Sequence, residues 1–303
     1  MTPGVLILTG PTASGKSALA LALAERFGAE IVGADSRQVY AGMPVGTAAP
    51  SALDRARVPH HLVGFLDPAE RYSAARFVAD ALAAIDAIHA RGRRAIVAGG
   101  TGFYVRSLTG DVALSPAYDP VLRERLAHEA RIHPPGVLAD WLRALAPQRA
   151  ASIEPSDPYR ITRALEIALA ARSGVLRAAG TAENLATRGV PYRKLYLETA
   201  LDERERRIAA RVDVMLAGGL LEEAERVGPG AVAADAVGYR ETLAYLAGWS
   251  TAGELRVQLV RNTRRYAKRQ ATWFRTEPGL VRIAGGDAFA LAAAQAGGLP
   301  GWD

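Results

Sequence analysis

The sequence predicts an α/β fold in which a parallel sheet is flanked by helices. It begins as a strand, a Gly-rich turn and a helix, and the first strand, VLILT, starts at Val5. Two further apolar runs, AEIVGAD ending at Asp35 and RRAIVAGG before a second Gly-rich turn, are typical of strands buried in a parallel sheet. Helical patterns fill the chain between these runs, as parallel α/β sheets require.

A helical insertion interrupts this alternation. Residues 113–190 contain no strand pattern, and the stretches VLRERLAHEARI, GVLADWLRALAP and PYRITRALEI read as helices separated by Pro and Gly. Strand character returns in RKLYLET at residues 193–199. Further helices are predicted at residues 202–227, 239–247 and 254–274. We therefore predict a core of residues 1–112 and 191–303, with residues 113–190 forming a helical insertion domain.

Composition limits the class of protein. The chain has 303 residues, with 37 Lys and Arg against 31 Asp and Glu, so its formal net charge is +6. A basic protein suits a polyanionic partner when its charges cluster on one surface. The lack of Cys excludes disulfides and thiolate metal sites. Because no apolar run reaches membrane-spanning length and a strand begins at Val5, we expect a cytoplasmic protein without a membrane segment or signal peptide. We also expect a monomer.

Residues 10–17, GPTASGKS, match the pattern of a phosphate-binding P-loop. In such a loop the backbone N–H groups converge at a helix N-terminus, where they and the Lys hold phosphate. The pattern lies between a predicted strand and a predicted helix, which favours a P-loop NTPase-like core. Lys16 is then expected to contact phosphate, and the Ser17 hydroxyl to bind Mg²⁺.

One expected acid is missing beside this loop. P-loop enzymes that hydrolyse nucleoside triphosphates usually present an Asp at the end of another strand to hold Mg²⁺. Here the candidate strand and the turn after it read AIVAGGT, which contains no acid. The acid at the carboxyl end of a core strand is Asp35, and ligands bind at that end of a parallel sheet. Asp35 is therefore the candidate catalytic residue, with a turn-capping role as the alternative. Thr101, in the turn GGTGFY, either faces the same crevice or caps a helix.

The predicted helix at residues 254–274 has a basic face. Five cations recur there at helical spacing: Arg261, Arg264, Arg265, Lys268 and Arg269. The stripe expected to face the core comprises Val257, Val260, Ala267, Ala271 and Phe274. Clustered like charges repel one another, which favours a surface that contacts a phosphate backbone. The alternative is a solvated face whose cations pair with acids from other elements.

Seven motifs, in this order, resemble those of the bacterial tRNA dimethylallyltransferases (isopentenyl-tRNA transferases): GPTASGKS, GADSRQVYAGMPVGTAAP, VPHHLVGFLDP, YSAARF, GGTGFY, DPYRITRALEI and AVGYRE. The resemblance implies transfer of a dimethylallyl group from dimethylallyl diphosphate to N6 of adenosine 37, in tRNAs that read codons beginning with U. It also implies that the insertion grips the anticodon stem-loop, and that the donor and the flipped adenine enter a channel from opposite ends.

The resemblance further implies roles for individual residues. Asp35 is the expected general base, with Lys16 and Thr101 as further catalytic residues. The diphosphate is expected to contact Gly10, Pro11, Thr12, Ala13, Ser14, Gly15, Lys16, Ser17 and Arg211, with Arg207 as an alternative to Arg211 and Ser17 as the Mg²⁺ ligand. The expected tRNA contacts are Asp35, Ser36, Arg37, Gln38, Thr101, Arg123, Tyr159, Arg160, Ile161, Thr162, Arg163, Gly238, Tyr239 and Arg240.

Three other functions stay open on the residues alone. A small-molecule kinase that uses ATP accounts for the P-loop and the crevice, but not for the basic helix or the insertion. An enzyme that prenylates free adenine nucleotides has no need of the basic face or of an Arg-rich insertion. A non-catalytic RNA-binding protein leaves Lys16, Ser17 and Asp35 unexplained.

Overall fold

The sheet is parallel throughout. The computed structural model describes residues 2–112, 114, 120–172 and 183–302, and within these the strands form one six-stranded sheet with the order β3-β2-β4-β1-β5-β6. The strands are β1 (Val5–Thr9), β2 (Ala29–Gly33), β3 (His60–His61), β4 (Arg94–Gly99), β5 (Tyr192–Leu197) and β6 (Leu280–Ile283). Each neighbouring pair is parallel, which confirms the predicted α/β class.

Helices flank this sheet and make up the described part of the insertion. They are α1 (Lys16–Phe27), α2 (Pro44–Thr47), α3 (Ala52–Arg57), α4 (Ala74–Ala90), α5 (Gly102–Thr109), α6 (Pro120–Ile132), α7 (Pro135–Leu145), α8 (Pro147–Ala150), α9 (Pro158–Arg172), α10 (Leu201–Ala217), α11 (Leu220–Val227), α12 (Tyr239–Leu246), α13 (Ala252–Phe274) and α14 (Ala288–Gly297). Among the described helices, none combines the length and apolarity needed to cross a membrane.

The central strand β1 is buried along its whole length, as its continuous apolar run predicts. It pairs with β4 on one side and β5 on the other. Its one polar side chain, Thr9, donates a hydrogen bond of 2.8 Å to the carbonyl of Leu195. The strand therefore buries no unpaired side-chain polar group, and it delivers the P-loop to the carboxyl edge of the sheet.

Two chain segments meet closely at this edge, where β2 and β4 end. The N–H of Ala34 donates to the carbonyl of Ala98 at 2.9 Å, and the N–H of Thr101 donates to the carbonyl of Ala34 at 3.2 Å. A Cβ at Gly99 would lie 2.0 Å from the Ala34 carbonyl oxygen. Glycine at this position therefore permits the backbone approach that brings the turns after β2 and β4 together.

The chain separates into two compact units, residues 1–112 with 183–303, and residues 113–182. Residues 183–190, predicted as part of the insertion, lie with the sheet: Leu185 is buried and its N–H donates to the carbonyl of Leu108 at 2.8 Å. The second unit has its own apolar core, built from α6, α7 and α9 around Leu126, Leu138, Leu142 and Leu165. Residues 113, 115–119 and 173–182 of the predicted insertion lie outside the described residues.

Other local predictions need correction. The helix predicted at residues 202–227 is two helices, because Gly219 adopts a left-handed φ of 93° between α10 and α11. Val257, expected in the core stripe of α13, is 62% exposed, and Leu255 and Leu259 are buried instead. The strands β3 and β6 were not predicted, since β3 has two residues and β6 has an exposed Val281 and Arg282.

The close approach at Gly99 gives a test of the fold. We expect Gly99→Ala to lower the free energy of unfolding by about 1–3 kcal/mol or more, because the new methyl group would force the Ala34 backbone to shift. Urea unfolding followed by circular dichroism measures the change. The matched control is Gly253→Ala on α13, where nothing lies within 4 Å and the free energy should stay level or rise by up to about 1 kcal/mol. Equal values for both variants would contradict the close approach.

Candidate active site

The P-loop leaves the N-terminus of α1 open to a ligand. Between β1 and α1 the chain turns with positive φ at Ala13 (63°) and Gly15 (94°). Gly15 is the N-cap of α1, and no side chain caps the helix there. The N-terminus of a helix carries unpaired N–H groups and a partial positive charge. The first turn of α1 therefore suits an anion, as the motif predicts.

Neighbouring elements fix the shape of this loop. Thr199 Oγ1 and Arg207 Nη1 both donate to the carbonyl of Ser14, at 3.1 and 3.2 Å. On the other side, the N–H of Thr12 donates to Gln270 Oε1 at 2.8 Å, and Gln270 Nε2 donates to the carbonyl of Gly100 at 3.0 Å. Arg207 thus supports the loop backbone. The buried Gln270 joins the P-loop to the turn that follows β4.

Gln270 is a functional candidate that the sequence analysis missed. It follows Lys268 and Arg269 on α13, and these cations indicate an exposed basic face and not a buried position. The available signal was an amide at a core-facing position of an amphipathic helix. A buried amide requires polar partners, and here these are the two Gly-rich turns.

Cationic and polar groups with spare bonding capacity converge beside the loop. Burial lowers the pKa of Lys16 to about 8, opposed by the charge of Asp35 and reinforced by that of Arg211. Burial also lowers the pKa of Arg211, again opposed by Asp35. Within the described residues, the buried Ser14 Oγ and Arg211 Nε have no hydrogen-bond partner. Such a cluster stabilises a bound anion with several oxygen atoms.

Asp35 lies at the carboxyl end of β2 beside these cations. Its Oδ1 accepts the N–H groups of Arg37 at 2.9 Å and Gln38 at 3.4 Å, which is the turn-capping role that the sequence left open. Its Oδ2 accepts no hydrogen bond from a described residue. Since its charge opposes the lowering of the pKa of both Lys16 and Arg211, the carboxylate lies beside the predicted anion site.

Thr101 holds the turn after β2 to the turn after β4. It stands at the N-cap position of α5, yet its side chain makes no capping bond. Instead Thr101 Oγ1 accepts the N–H of Ser36 at 3.0 Å and donates to Ser36 Oγ at 3.4 Å. On α13, burial and the charge of Asp35 raise the pKa of the Tyr266 phenol, so this ring shares the electrostatic environment of Asp35. The sequence analysis did not single out Tyr266.

The remaining predicted tRNA contacts of the first unit differ in their exposure and in their partners. Arg37 forms an ion pair of 2.7 Å with Asp235. Arg240 is exposed and lies 3.2 Å from a carboxylate oxygen of Glu241. Tyr239 follows Gly238, whose φ is 106°, and it is fully buried. The Tyr239 side chain is therefore a structural support inside this unit and not a surface for tRNA.

Within the second unit, the half-buried Arg123 forms a cation–aromatic pair with the exposed Tyr159. The Arg123 guanidinium lies 5.6 Å from the centre of the Tyr159 ring, which is 66% exposed. The other predicted residues on α9 make local bonds: Arg160 with Asp157, Thr162 with the carbonyl of Pro158, and Arg163 with Glu166. Ile161 is buried in the core of the unit, so its side chain is not available to tRNA.

The five cations of α13 are exposed, as predicted. Arg264 lies 3.4 Å from Glu205, so the alternative of pairing with acids from other elements holds for this residue. Arg269 lies over the ring of Tyr266. Among the described residues, Arg261, Arg265 and Lys268 have no ion-pair partner. These three are therefore the members of the five-residue basic face that contact neither an acid nor an aromatic ring among the described residues.

A divalent cation fits this site only together with a bound anion. Among the described residues, no group of three or more His, Asp and Glu side chains is placed to hold a metal ion. The hydroxyl of Ser17, which follows Lys16 at the start of α1, is a hard oxygen donor of the kind Mg²⁺ prefers. Mg²⁺ usually takes its other ligands from water and phosphate oxygens, which the loop is shaped to hold.

Two family models match the chain. The model of the IPP transferase family matches residues 38–277, and that of isopentenyl transferase matches residues 3–57. Curated relatives named tRNA dimethylallyltransferase include one from Geobacter sulfurreducens, 43% identical over 91% of this chain and 90% of its own. Another, from an Anaeromyxobacter species, is 48% identical over 92% of both chains.

Solved structures agree in fold. A tRNA isopentenylpyrophosphate transferase from Bacillus halodurans superposes with a TM-score of 0.70 at 33% identity, covering 97% of this chain and 96% of that one. A eukaryotic dimethylallyltransferase crystallised while acting on tRNA gives a TM-score of 0.78 at 26% identity, covering 97% of this chain and 78% of that one.

The pKa of Lys16 gives a test of the anion site. With a pKa of about 8, the ammonium loses its charge as pH rises through 8 in the free protein. We therefore expect the affinity for inorganic pyrophosphate, with Mg²⁺ present, to fall by up to about tenfold between about pH 7 and about pH 9. Calorimetric titration measures it. Lys16→Arg is the control, because arginine stays charged and the ionisation of pyrophosphate is common to both proteins. Equal pH slopes would rule out Lys16 as the titrating contact.

Proposed function

The chain belongs to the IPP transferase family, and we propose that it transfers the dimethylallyl group of dimethylallyl diphosphate to N6 of adenosine 37 in tRNAs that read codons beginning with U. The products are N6-(dimethylallyl)adenosine and diphosphate. One observation carries the proposal beyond family membership: a cradle of N–H groups and cations for a diphosphate lies beside a carboxylate with a free oxygen. Curated relatives at 43–48% identity bear the name of this activity.

In this proposal the P-loop holds the leaving group. As the bond between the dimethylallyl carbon and the diphosphate oxygen breaks, negative charge grows on the diphosphate. Lys16, Arg211 and the N–H groups at the start of α1 stabilise that charge, and the buried Ser14 hydroxyl and Arg211 Nε gain partners. Ser17 would hold Mg²⁺, which supplies further positive charge to the diphosphate.

Asp35 is proposed to act on the acceptor. The N6 amine of adenine is a weak nucleophile, because its lone pair is delocalised into the ring. A carboxylate that accepts a hydrogen bond from N6, and then its proton as the N–C bond forms, raises the rate by about 10²–10⁴-fold. The free Oδ2 of Asp35 supplies that acceptor, while the turn bonds to Oδ1 fix the carboxylate in place.

Two surfaces are proposed to bind the anticodon stem-loop. The basic face of α13 offers cations to the phosphate backbone. In the second unit, the exposed Tyr159 with Arg123 offers a ring and a charge, a combination suited to the unstacked bases of an RNA loop. We propose that the protein works in the cytoplasm as a monomer.

A transfer assay tests the proposed function against its alternatives. Protein and Mg²⁺ are incubated with dimethylallyl diphosphate labelled in the alkyl group, and with tRNA, AMP or adenine as acceptors. The proposal expects label in tRNA alone. Label in AMP would favour the alternative enzyme that prenylates free adenine nucleotides. No transfer, together with phosphorylation of small acceptors by ATP, would favour the kinase.

The role of Asp35 leads to a prediction on rate. We expect Asp35→Asn to lower the single-turnover rate of prenyl transfer by about 10²–10⁴-fold, because asparagine keeps the turn bonds but cannot take the proton. Binding of the anticodon stem-loop should change by less than about twofold. The matched control is Asp67→Asn, since Asp67 makes the same kind of turn bond to Ala69 on an exposed loop. Near-normal turnover by Asp35→Asn would remove it from the mechanism.

The basic face leads to a prediction on salt dependence. We expect Arg261, Arg265 and Lys268, changed together to Gln, to weaken tRNA binding and to lower the salt slope by about one for each phosphate that is no longer neutralised. Filter binding over a range of salt concentrations measures the slope. A control of equal charge changes three exposed arginines that pair with acids: Arg76, Arg256 and Arg282. The idea fails if both triple variants have the same slope.

A further inference from the structure

We propose that Glu223 and Tyr239 are positioning residues for the diphosphate site, acting on Arg211 and Gln38 through the loop of residues 43–48, here called the clamp loop. The inference rests on the proposed function, because it assigns Arg211 to the diphosphate. It gives Tyr239 a role other than the tRNA contact expected from the sequence. Glu223 belongs to no motif that the sequence analysis identified.

One side of the clamp loop is held through its N–H groups. Glu223 on α11 is buried, and its two carboxylate oxygens accept the N–H of Val45 at 2.9 Å and of Gly46 at 2.7 Å. These N–H groups belong to the short helix α2, where a carboxylate replaces missing backbone acceptors. A buried carboxylate is costly unless it is fully hydrogen-bonded. Glu223 therefore fixes the position of the loop to within hydrogen-bonding tolerance.

Tyr239 completes this contact from α12. Its hydroxyl lies 2.5 Å from Glu223 Oε1 and 3.1 Å from the carbonyl of Met43. Its ring packs against Gly46 so closely that a Cβ there would lie 2.6 Å from ring carbons. The glycine of the motif MPVGT thus admits the ring. The phenol orients the carboxylate that holds the loop.

The other side of the clamp loop presents its carbonyl groups to the active site. The carbonyl of Thr47 accepts Arg211 Nη2 at 3.1 Å and Gln38 Nε2 at 3.2 Å. The carbonyl of Ala48 accepts the same Gln38 nitrogen at 3.1 Å. Hydrogen bonds link the two sides of the loop: Thr47 Oγ1 donates to the carbonyl of Met43 at 2.6 Å, and the N–H of Ala48 donates to the carbonyl of Val45 at 3.0 Å. Displacing the N–H side therefore displaces the carbonyl groups that orient Arg211.

The contacts from Glu223 through the clamp loop to Arg211 distinguish a positioning role of Glu223 from a role in core packing alone. Arg211 Nη2 donates to the clamp loop, whereas Arg211 Nε has no partner among the described residues. The bond to Thr47 thus sets the direction in which the rest of the guanidinium faces. If Glu223 acts through Arg211, its substitution must lose its effect once Arg211 no longer binds the diphosphate.

A double-mutant cycle tests the proposal on the full chain. The probe is inorganic pyrophosphate with Mg²⁺, titrated by calorimetry into the wild type, Glu223→Gln, Arg211→Gln and the double variant. We expect Glu223→Gln to bind about tenfold more weakly, because the amide leaves one loop N–H without an acceptor and loses the charge. In the Arg211→Gln background the same change should alter affinity by less than about twofold. Glu225→Gln, an exposed change of equal charge on the same helix, is the control.

Tyr239→Phe keeps the test decisive if Glu223→Gln does not fold. It retains the ring against Gly46 and removes only the hydroxyl, and we expect about threefold weaker binding that again vanishes without Arg211. Equal losses in both Arg211 backgrounds, or wild-type affinity in both variants, would overturn the proposal. The wild-type transfer assay tests the proposed function separately. Loss of pyrophosphate affinity through Arg211 would therefore uphold the positioning role even if no label reached tRNA.

Discussion

The site depends on the concentration of positive charge at the carboxyl edge of the sheet. Lys16, Arg211 and the N-terminus of α1 face one another, and burial lowers the pKa of both side chains. Mutual repulsion and lost hydration destabilise such a cluster until an anion binds. Asp35 is the carboxylate whose charge opposes both shifts. In the proposed reaction it serves the acceptor, so the diphosphate supplies the remaining negative charge.

The surrounding structure serves to hold these charges in place. The parallel sheet brings the turns after β1, β2 and β4 to one edge, and Gly99 lets two of them touch. Gln270 then ties the P-loop to the turn after β4, and Thr101 ties that turn to the one after β2. The clamp loop fixes Arg211 from the opposite side. Preorganised donors of this kind stabilise a leaving group without reorganisation during the reaction.

The sequence predicted those parts of the site whose signal is local. The P-loop, Asp35 and Thr101 could be placed because a Gly-rich turn after an apolar run marks the carboxyl end of a strand. Gln270 and Glu223 could not, because their partners lie 258 and 177 or 178 residues away and no spacing rule connects them. The side chain of Tyr239 was wrongly expected to contact tRNA, because that role came from the family resemblance alone. It is buried, and its hydroxyl bonds to Glu223 on another helix. Val257 was assigned to the core from periodicity alone, whereas the helix buries Leu255 and Leu259, two positions to either side.

The central claim is that the loop holds a leaving group and that Asp35 faces the nucleophile. A crystal structure with an anticodon stem-loop, Mg²⁺ and a non-reactive thio analogue of dimethylallyl diphosphate tests it most directly. The account predicts N6 of the target adenine within about 3 Å of Asp35 Oδ2, with the diphosphate bound by Lys16 and Arg211. An adenine whose N6 lies beyond hydrogen-bonding distance of Asp35, or a diphosphate bound outside the P-loop, would contradict it.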